Sequence, residues 1–173
     1  MTAATSGTAS ATANRRGNEE ATRGFIGSAG LAEKLQRVLV DLIELHLQGK
    51  QAHWNVVGPN FRDLHLQLDE IVDQAREFSD DIAERMRALS ATPDGRSDVV
   101  AANTTLPAFP AGEQSTADVV RAMVARLNGA AATVRAVHDD VDAEDPSTAD
   151  LLHQIVIGLE KQAWMLAAEA RGR

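Results

Sequence analysis

Two histidines and three carboxylates recur at helical spacing in the first half of the chain: His53, His65, Asp69, Asp80 and Glu84. His65 and Asp69 are four residues apart, as are Asp80 and Glu84, so each pair lies on one helix face with about 6 Å of rise between its members. Mixed imidazole and carboxylate ligands suit Fe(II), and the same set also suits Zn(II) and Mn(II). Each pair therefore offers one edge of a metal site.

The two pairs are too far apart on one helix to hold the same ion. From His65 to Asp80 the helix rises about 22 Å, which exceeds the reach of two side chains bonded to one metal. The eleven residues from Asp69 to Asp80 turn the helix by about 1100°, close to a whole number of turns, so both pairs share one stripe. Antiparallel packing of two copies about a twofold axis would bring the Asp80–Glu84 pair of one chain to the histidines of the other.

Simpler interpretations compete with this metal site. A single histidine on a helix is more often a surface or core residue than a ligand, and charged pairs four residues apart usually face solvent. The conjunction of five such residues on one stripe favours the metal site. A di-iron site within one bundle is excluded, because Glu84 is followed three residues later by Arg87 rather than by the histidine of a Glu-x-x-His pair.

The composition indicates an all-helical protein. Of the 173 residues 44% are hydrophobic but only 3% are aromatic, and the apolar residues are mainly Ala, Leu and Val. The absence of Cys excludes disulfides, thiolate zinc sites and cysteine nucleophiles, and it fits a cytoplasmic protein. A net charge of −8 argues against a folded surface that grips nucleic acid.

Prolines and apolar periodicity divide the chain into four long helices. Apolar residues at spacings of three and four predict helices from Ser28 to about Val57, from Phe61 to about Ala91, from near Ser115 and from Ser147. The connection between the second and third helices is long enough to run the length of the bundle, and we expect a short helix at Ser97–Ala102 within it. Together these elements predict a ferritin-like four-helix bundle with one crossover over residues 25–173.

The stretch KQAHWNVVGPNFRDLHLQLDEIVDQAREFSDDIAER, with LEKQAWMLAAE in the last helix, resembles the Dps proteins, the mini-ferritins of starved cells. The resemblance runs from about Ala32 to Glu169. It implies that His53, His65, Asp69, Asp80 and Glu84 form a ferroxidase centre for two irons between twofold-related subunits. It also implies a hollow dodecamer that oxidises Fe(II), preferentially with hydrogen peroxide rather than oxygen, and that stores ferric mineral inside.

Further residues have predicted roles around this centre. Trp54, next to His53, either intercepts a stray radical or packs at the dimer contact. Within the acidic run from Asp139 to Asp150, we expect Asp145 and Asp150 to line a threefold pore that draws Fe(II) inward. His46, His138 and His153 receive no role, and we expect the last two at the surface.

The N-terminal residues 1–24 predict a disordered, weakly basic tail without a secretory signal. Arg15, Arg16 and Arg23 oppose two glutamates, and the tail lacks the lysines on which DNA binding in this family usually relies. We therefore expect weak DNA binding through these arginines and no membrane association. Two functions remain open: an iron-oxidising storage cage, and a nucleoid-associated protein that protects DNA chiefly by binding it.

Overall fold

The computed structural model describes residues 24–170, and most of them are helical. The long helices are α1 (Ala29–Asn55), α2 (Phe61–Ala88), α4 (Thr116–Glu144) and α5 (Pro146–Ala170), while the short helix α3 (Ser97–Asn103) lies in the connection from α2 to α4. The two-residue strands β1 (Val56–Val57) and β2 (Gln114–Ser115) pair in parallel. The predicted all-α, ferritin-like bundle with a crossover is confirmed, including the short helix in the crossover.

The helices pack as two antiparallel pairs, α1 with α2 and α4 with α5, and α1 also contacts α4. At one end of the bundle, the Glu144 carboxylate accepts hydrogen bonds from the main-chain N–H and the hydroxyl of Ser28, both at 2.7 Å. At the other end, Val56 of β1 pairs with Gln114 of β2. Because the crossover starts at the first end and reaches β2 at the second, it runs the length of the bundle.

The core follows the apolar stripes that the sequence predicts. Leu31, Leu35, Val38, Leu42 and Leu45 of α1 are almost completely buried, and so are Val120, Met123, Leu127, Val134 and Val137 of α4. Phe61 is an exception in α2, since it is 44% exposed. Its ring instead lies 5.0 Å from the ring of His65. Within residues 24–170, no helix is long and apolar enough to cross a membrane.

A buried carboxylate fixes the crossover to α1. Asp41 is 1% exposed. It accepts hydrogen bonds from the hydroxyls of Thr104, Thr105 and Thr133 and from the main-chain N–H of Thr105. These four bonds satisfy a charge that would be costly to bury without partners. They join α1, the crossover and α4 at one point.

Two helix ends differ from the predicted boundaries. Helix α1 ends at Asn55 rather than Val57, because Val56 and Val57 leave the helix to pair with β2. Helix α2 ends at Ala88 rather than Ala91. There Ser90 adopts a left-handed conformation with φ 66°, and the main-chain N–H of Ala91 donates to the carbonyl of Met86. This hydrogen bond is the closing contact of a Schellman motif.

Candidate metal centre

The turn between α1 and α2 brings the two predicted histidines together. Gly58, with φ 120°, and Asn60, with φ 61°, reverse the chain in conformations that most side chains disfavour. His53 lies two residues before the end of α1, and His65 lies one turn into α2. The reversal therefore places both imidazoles at the same level of the helix pair.

His53, His65 and Asp69 converge to a compact group. One ligand atom from each of these side chains lies within 4.8 Å of the others. His53 is 8% exposed, and the other two residues are partly buried. Among residues 24–170, no other three histidine or carboxylate side chains come this close together. The sequence analysis selected these three residues as candidate ligands. The structure places one ligand atom of each within reach of a single cation.

Main-chain contacts orient both imidazoles. Nδ1 of His53 lies 3.1 Å from the carbonyl oxygen of His65, and Nδ1 of His65 lies 3.1 Å from the carbonyl oxygen of His53. A carbonyl only accepts, so each Nδ1 must carry the proton, which leaves the Nε2 lone pair for a metal. The two rings stack with centroids 3.6 Å apart. The backbone thus fixes the tautomer that metal binding requires.

Lys50 is a further residue of this group, which the sequence reasoning missed. Its ammonium donates a hydrogen bond to Oδ1 of Asp69, and the same oxygen lies 3.2 Å from Nδ1 of His53. The hydrogen bond from Lys50 lowers the pKa of Asp69; burial opposes this shift, and the charges of His53, Lys50 and His65 add to it. The sequence carried a signal for Lys50, because this residue precedes His53 by three positions on α1 and so lies on the same helix face.

Asp80 and Glu84 lie apart from this group, further along α2. Both are exposed. Asp80 lines a groove of about 630 Å³ between α1, α2 and the crossover, together with His46 and Arg76. Burial, followed by the charges of Arg76 and Lys50, lowers the pKa of His46, so this imidazole is neutral at physiological pH. Within one chain, the structure does not bring Asp80 or Glu84 to the histidines.

Several large apolar side chains are exposed on the helix pair that carries the His53 group. Leu47, Trp54, Val57, Phe61 and Leu66 are all large and exposed, although they lie on or between the two helices that carry the ligands. Trp54, adjacent to His53, is 70% exposed. Among these side chains, the ring of Phe61 lies directly beside the group, 5.0 Å from the ring of His65.

The remaining predicted residues have different surroundings. Asp145 is buried at the junction of α4 and α5, where its carboxylate pairs with Arg85 at 2.5 Å and accepts a hydrogen bond from the Thr148 hydroxyl. The side chain of Asp150 is 89% exposed and lies 3.8 Å from Nδ1 of His153. Arg15, Arg16 and Arg23 lie outside the described residues.

Comparisons with known proteins agree with this fold. The sequence model of the ferritin-like domain matches residues 32–171. The chain is 36% identical over 138 residues to a DNA protection during starvation protein of Agrobacterium fabrum, covering 79% of this chain and 85% of that protein. It is 35% identical to DNA protection during starvation protein 2 of Deinococcus radiodurans, over 79% of this chain but only 56% of that longer protein.

A solved structure gives the same result in three dimensions. The structure of Dps from Microbacterium arborescens in the high iron form superposes with a TM-score of 0.79 at 32% identity, covering 86% of this chain and 99% of that one. The similarity extends over all four long helices and includes the two that carry the candidate ligands. The chain belongs to the Dps family of ferritin-like proteins.

Proposed function

We propose that the protein oxidises Fe(II) at a centre shared by two chains and stores the ferric product inside a closed oligomer, a homododecamer built from twofold dimers. The observation that carries the proposal is the convergence of His53, His65 and Asp69, in which one ligand atom of each side chain lies within 4.8 Å of the others. Iron is the substrate of this reaction, and two Fe(II) ions occupy one centre; Zn(II) or Mn(II) would bind the same ligands.

The second half of the centre comes from the partner chain. Asp80 and Glu84 are exposed on the same helix that carries His65 and Asp69, about 22 Å away along the axis. The exposed apolar side chains of α1 and α2 offer the partner a contact area. A twofold axis across this face makes two identical centres per dimer.

The chemistry follows from the ligand set. Two neutral imidazoles hold Fe(II), while the carboxylates favour the higher charge of Fe(III) and so promote loss of an electron. Two Fe(II) ions, one hydrogen peroxide molecule and two protons give two Fe(III) ions and two water molecules. Because both electrons enter the peroxide at one centre, no hydroxyl radical is released. We expect peroxide to be used in preference to oxygen, and Trp54, adjacent to His53, is placed to give an electron to a radical that forms by chance.

This oxidation also gives the chain a role in protecting DNA, the role for which its relatives are named. Removal of Fe(II) and peroxide prevents the reaction that damages DNA, and it needs no contact with DNA. The alternative is protection by physical binding in the nucleoid. The net charge of −8 opposes that alternative, because phosphate contacts need a positive surface. We therefore propose iron oxidation in the cytoplasm as the main function. DNA binding through the arginines of the N-terminal segment is the secondary one.

Anaerobic addition of Fe(II) followed by peroxide tests the proposal. The wild-type protein should form Fe(III) with two Fe(II) consumed per peroxide, faster with peroxide than with oxygen, and with little trapped hydroxyl radical. His53→Ala, His65→Ala should lose most of this rate, whereas His153→Ala, a histidine on the other helix pair, should keep it. Equal rates in the two variants would overturn the assignment of the centre.

A further inference from the structure

A second pair of histidines lies in contact on the other helix pair. His138 of α4 and His153 of α5 have ring centroids 4.4 Å apart, with 35° between the ring planes. The two residues stand at similar distances on either side of the junction at Asp145, so the α4–α5 hairpin places them at the same level. They share no residue and no helix with the His53 group.

The ring of His138 has a carboxylate within hydrogen-bond distance of Nδ1, and the ring of His153 has one nearby at a longer distance. Nδ1 of His138 lies 3.1 Å from Oδ1 of Asp139, and Nδ1 of His153 lies 3.8 Å from Oδ1 of Asp150. A carboxylate at Nδ1 holds the proton there and leaves Nε2 as the free lone pair, the arrangement usual for metal-bound histidines. Nε2 of His138 is buried, and within residues 24–170 it has no hydrogen-bond partner. A buried acceptor without a partner is costly unless a ligand binds to it.

The rings open onto a cavity of about 320 Å³ on the outside of the hairpin. His138, His153, Asp139 and Glu160 line it. The Glu160 carboxylate accepts hydrogen bonds from the guanidinium of Arg135, which also lines the cavity, so this positive charge is already compensated. The exposed carboxylates at the rim leave the cavity with a local potential that attracts cations.

We propose that His138 and His153 form a second cation site, for a divalent ion of the zinc, copper or nickel class. Two imidazoles are ligands that these ions bind more strongly than Fe(II) or Mn(II). Zinc binds imidazole nitrogens at about 2.0 to 2.1 Å, so a shared ion requires two neighbouring rings, and these ring centroids are 4.4 Å apart. Asp139 orients the ring of His138, and water or Glu160 completes the coordination.

Zinc binding by the full-length protein tests this site when the first group is removed. In the His53→Ala, His65→Ala background, equilibrium dialysis against Zn²⁺ with metal analysis should give one tightly bound ion per chain. Adding His138→Gln and His153→Gln should abolish it, while adding His46→Gln should leave it unchanged. Absence of zinc in the background protein, or retention after the His138 and His153 substitutions, would overturn the proposal.

Two further measurements exclude a general effect on folding or surface charge. In the same background, Zn²⁺ should raise the melting temperature, because it links α4 to α5 in the folded state alone, and this rise should disappear with His138→Gln, His153→Gln.

Asp139→Asn should weaken Zn²⁺ binding about tenfold through loss of ring orientation. Asp142→Asn, which removes one exposed charge from the same helix, is the matched control. Equal effects of the two Asn substitutions would contradict the orienting role of Asp139.

Discussion

Nδ1 of His53 contacts the main-chain carbonyl of His65, and Nδ1 of His65 contacts the main-chain carbonyl of His53, each at 3.1 Å. The contact is reciprocal but uses backbone acceptors, so removing one side chain leaves the orientation of the other intact. The folded helix pair therefore prepares both Nε2 atoms before any metal arrives. Preorganisation of this kind reduces the free-energy cost of binding a cation.

Subunits with complementary defects should restore a working centre. A chain with His53→Ala and His65→Ala keeps Asp80 and Glu84, while a chain with Asp80→Ala and Glu84→Ala keeps the histidines. A mixed dimer has one intact centre of its two. With random mixing, half of the dimers are mixed, so roughly a quarter of the wild-type centres should return. Stopped-flow oxidation of Fe(II) by peroxide measures this recovery.

The control for this experiment is the composition of the mixed assemblies. Chains that carry different affinity tags allow mixed dimers to be purified and verified before the assay. If verified mixed dimers oxidise Fe(II) no faster than either parent variant, the centre does not lie between subunits.

Lys50 should compete with iron for Asp69. Its ammonium occupies Oδ1 of this carboxylate, so Lys50→Met frees a ligand oxygen and removes a positive charge from the approach of the cation. For a partly exposed pair this is worth on the order of 1 kcal/mol, so we expect roughly fivefold tighter anaerobic Fe(II) binding at pH 7. Isothermal titration calorimetry under anaerobic conditions gives the affinity. Weaker binding by Lys50→Met would mean that Lys50 supports the ligand rather than competes for it.

The same substitution should also change the acid limit of metal binding, which is the pH below which protonation of Asp69 weakens the binding. Because Lys50 holds the pKa of Asp69 below its ordinary value, the wild-type carboxylate stays ionised until the pH falls through that lowered pKa. In Lys50→Met, Asp69 should protonate at a higher pH. Lys34→Met is the matched control, since Lys34 pairs with Asp140 at 3.4 Å on another surface. It should change neither the affinity nor the acid limit.

The sequence predicts most of the fold because its signals are local. Apolar spacing identifies the buried faces, and Ser28 and Ser115 act as helix N-caps by accepting hydrogen bonds three residues on. The two wrong boundaries depend on information that is not local. Val56 leaves the helix to pair with Gln114, 58 residues away in the chain. Ser90 takes a left-handed conformation that usually belongs to Gly or Asn, so no sequence signal marks the end of α2 there.

The site is predictable to a similar extent. The positions of His53, His65 and Asp69 follow from helix spacing and a tight turn, whereas the role of Lys50 depends on which rotamer reaches Asp69. Asp145 illustrates the opposite case. An acidic run predicts an electrostatic role for it, but the partner that occupies its carboxylate, Arg85, is 60 residues distant in the chain. Such pairings are determined by tertiary packing.

Asp145 should contribute to stability, and Asp150 should not. Burial raises the pKa of Asp145, but hydrogen bonds from Thr148 and Arg85 outweigh this effect and leave the pKa below its ordinary value. Its stabilising contribution is therefore present above the ordinary pKa and is lost as the pH falls through the lowered one. Asp145→Ala should cost about 2 kcal/mol in the free energy of unfolding at pH 7, with a smaller loss near pH 3. Urea titrations at both pH values measure the difference.

Asp150→Asn gives a cleaner test of iron uptake than a change of both carboxylates. The side chain is exposed, so its substitution should change the free energy of unfolding by less than about 0.5 kcal/mol. If Asp150 attracts Fe(II) at a pore, uptake at low ionic strength should slow while the assembly stays intact. Unchanged uptake would remove Asp150 from the path, and an unstable Asp150→Asn protein would contradict the stability assignment.

Deletion of residues 2–23 should separate DNA binding from iron oxidation. The deletion removes Arg15, Arg16 and Arg23 together with two glutamates, so the net charge falls from −8 to −9, and no part of an amphipathic stripe is lost. Folding and Fe(II) oxidation should therefore survive. If the intact protein retards DNA in a gel at about 50 mM salt, this binding should fall steeply by about 200 mM, and the deleted form should bind little at either concentration.

The full-length protein with all three arginines changed to Gln is the matched control, and it should behave like the deletion because the positive charges, rather than the length of the segment, contact phosphate. Tight, salt-insensitive binding by the deleted form would mean that the folded bundle itself recognises DNA, and the nucleoid-binding alternative would then take precedence over the iron-oxidising cage.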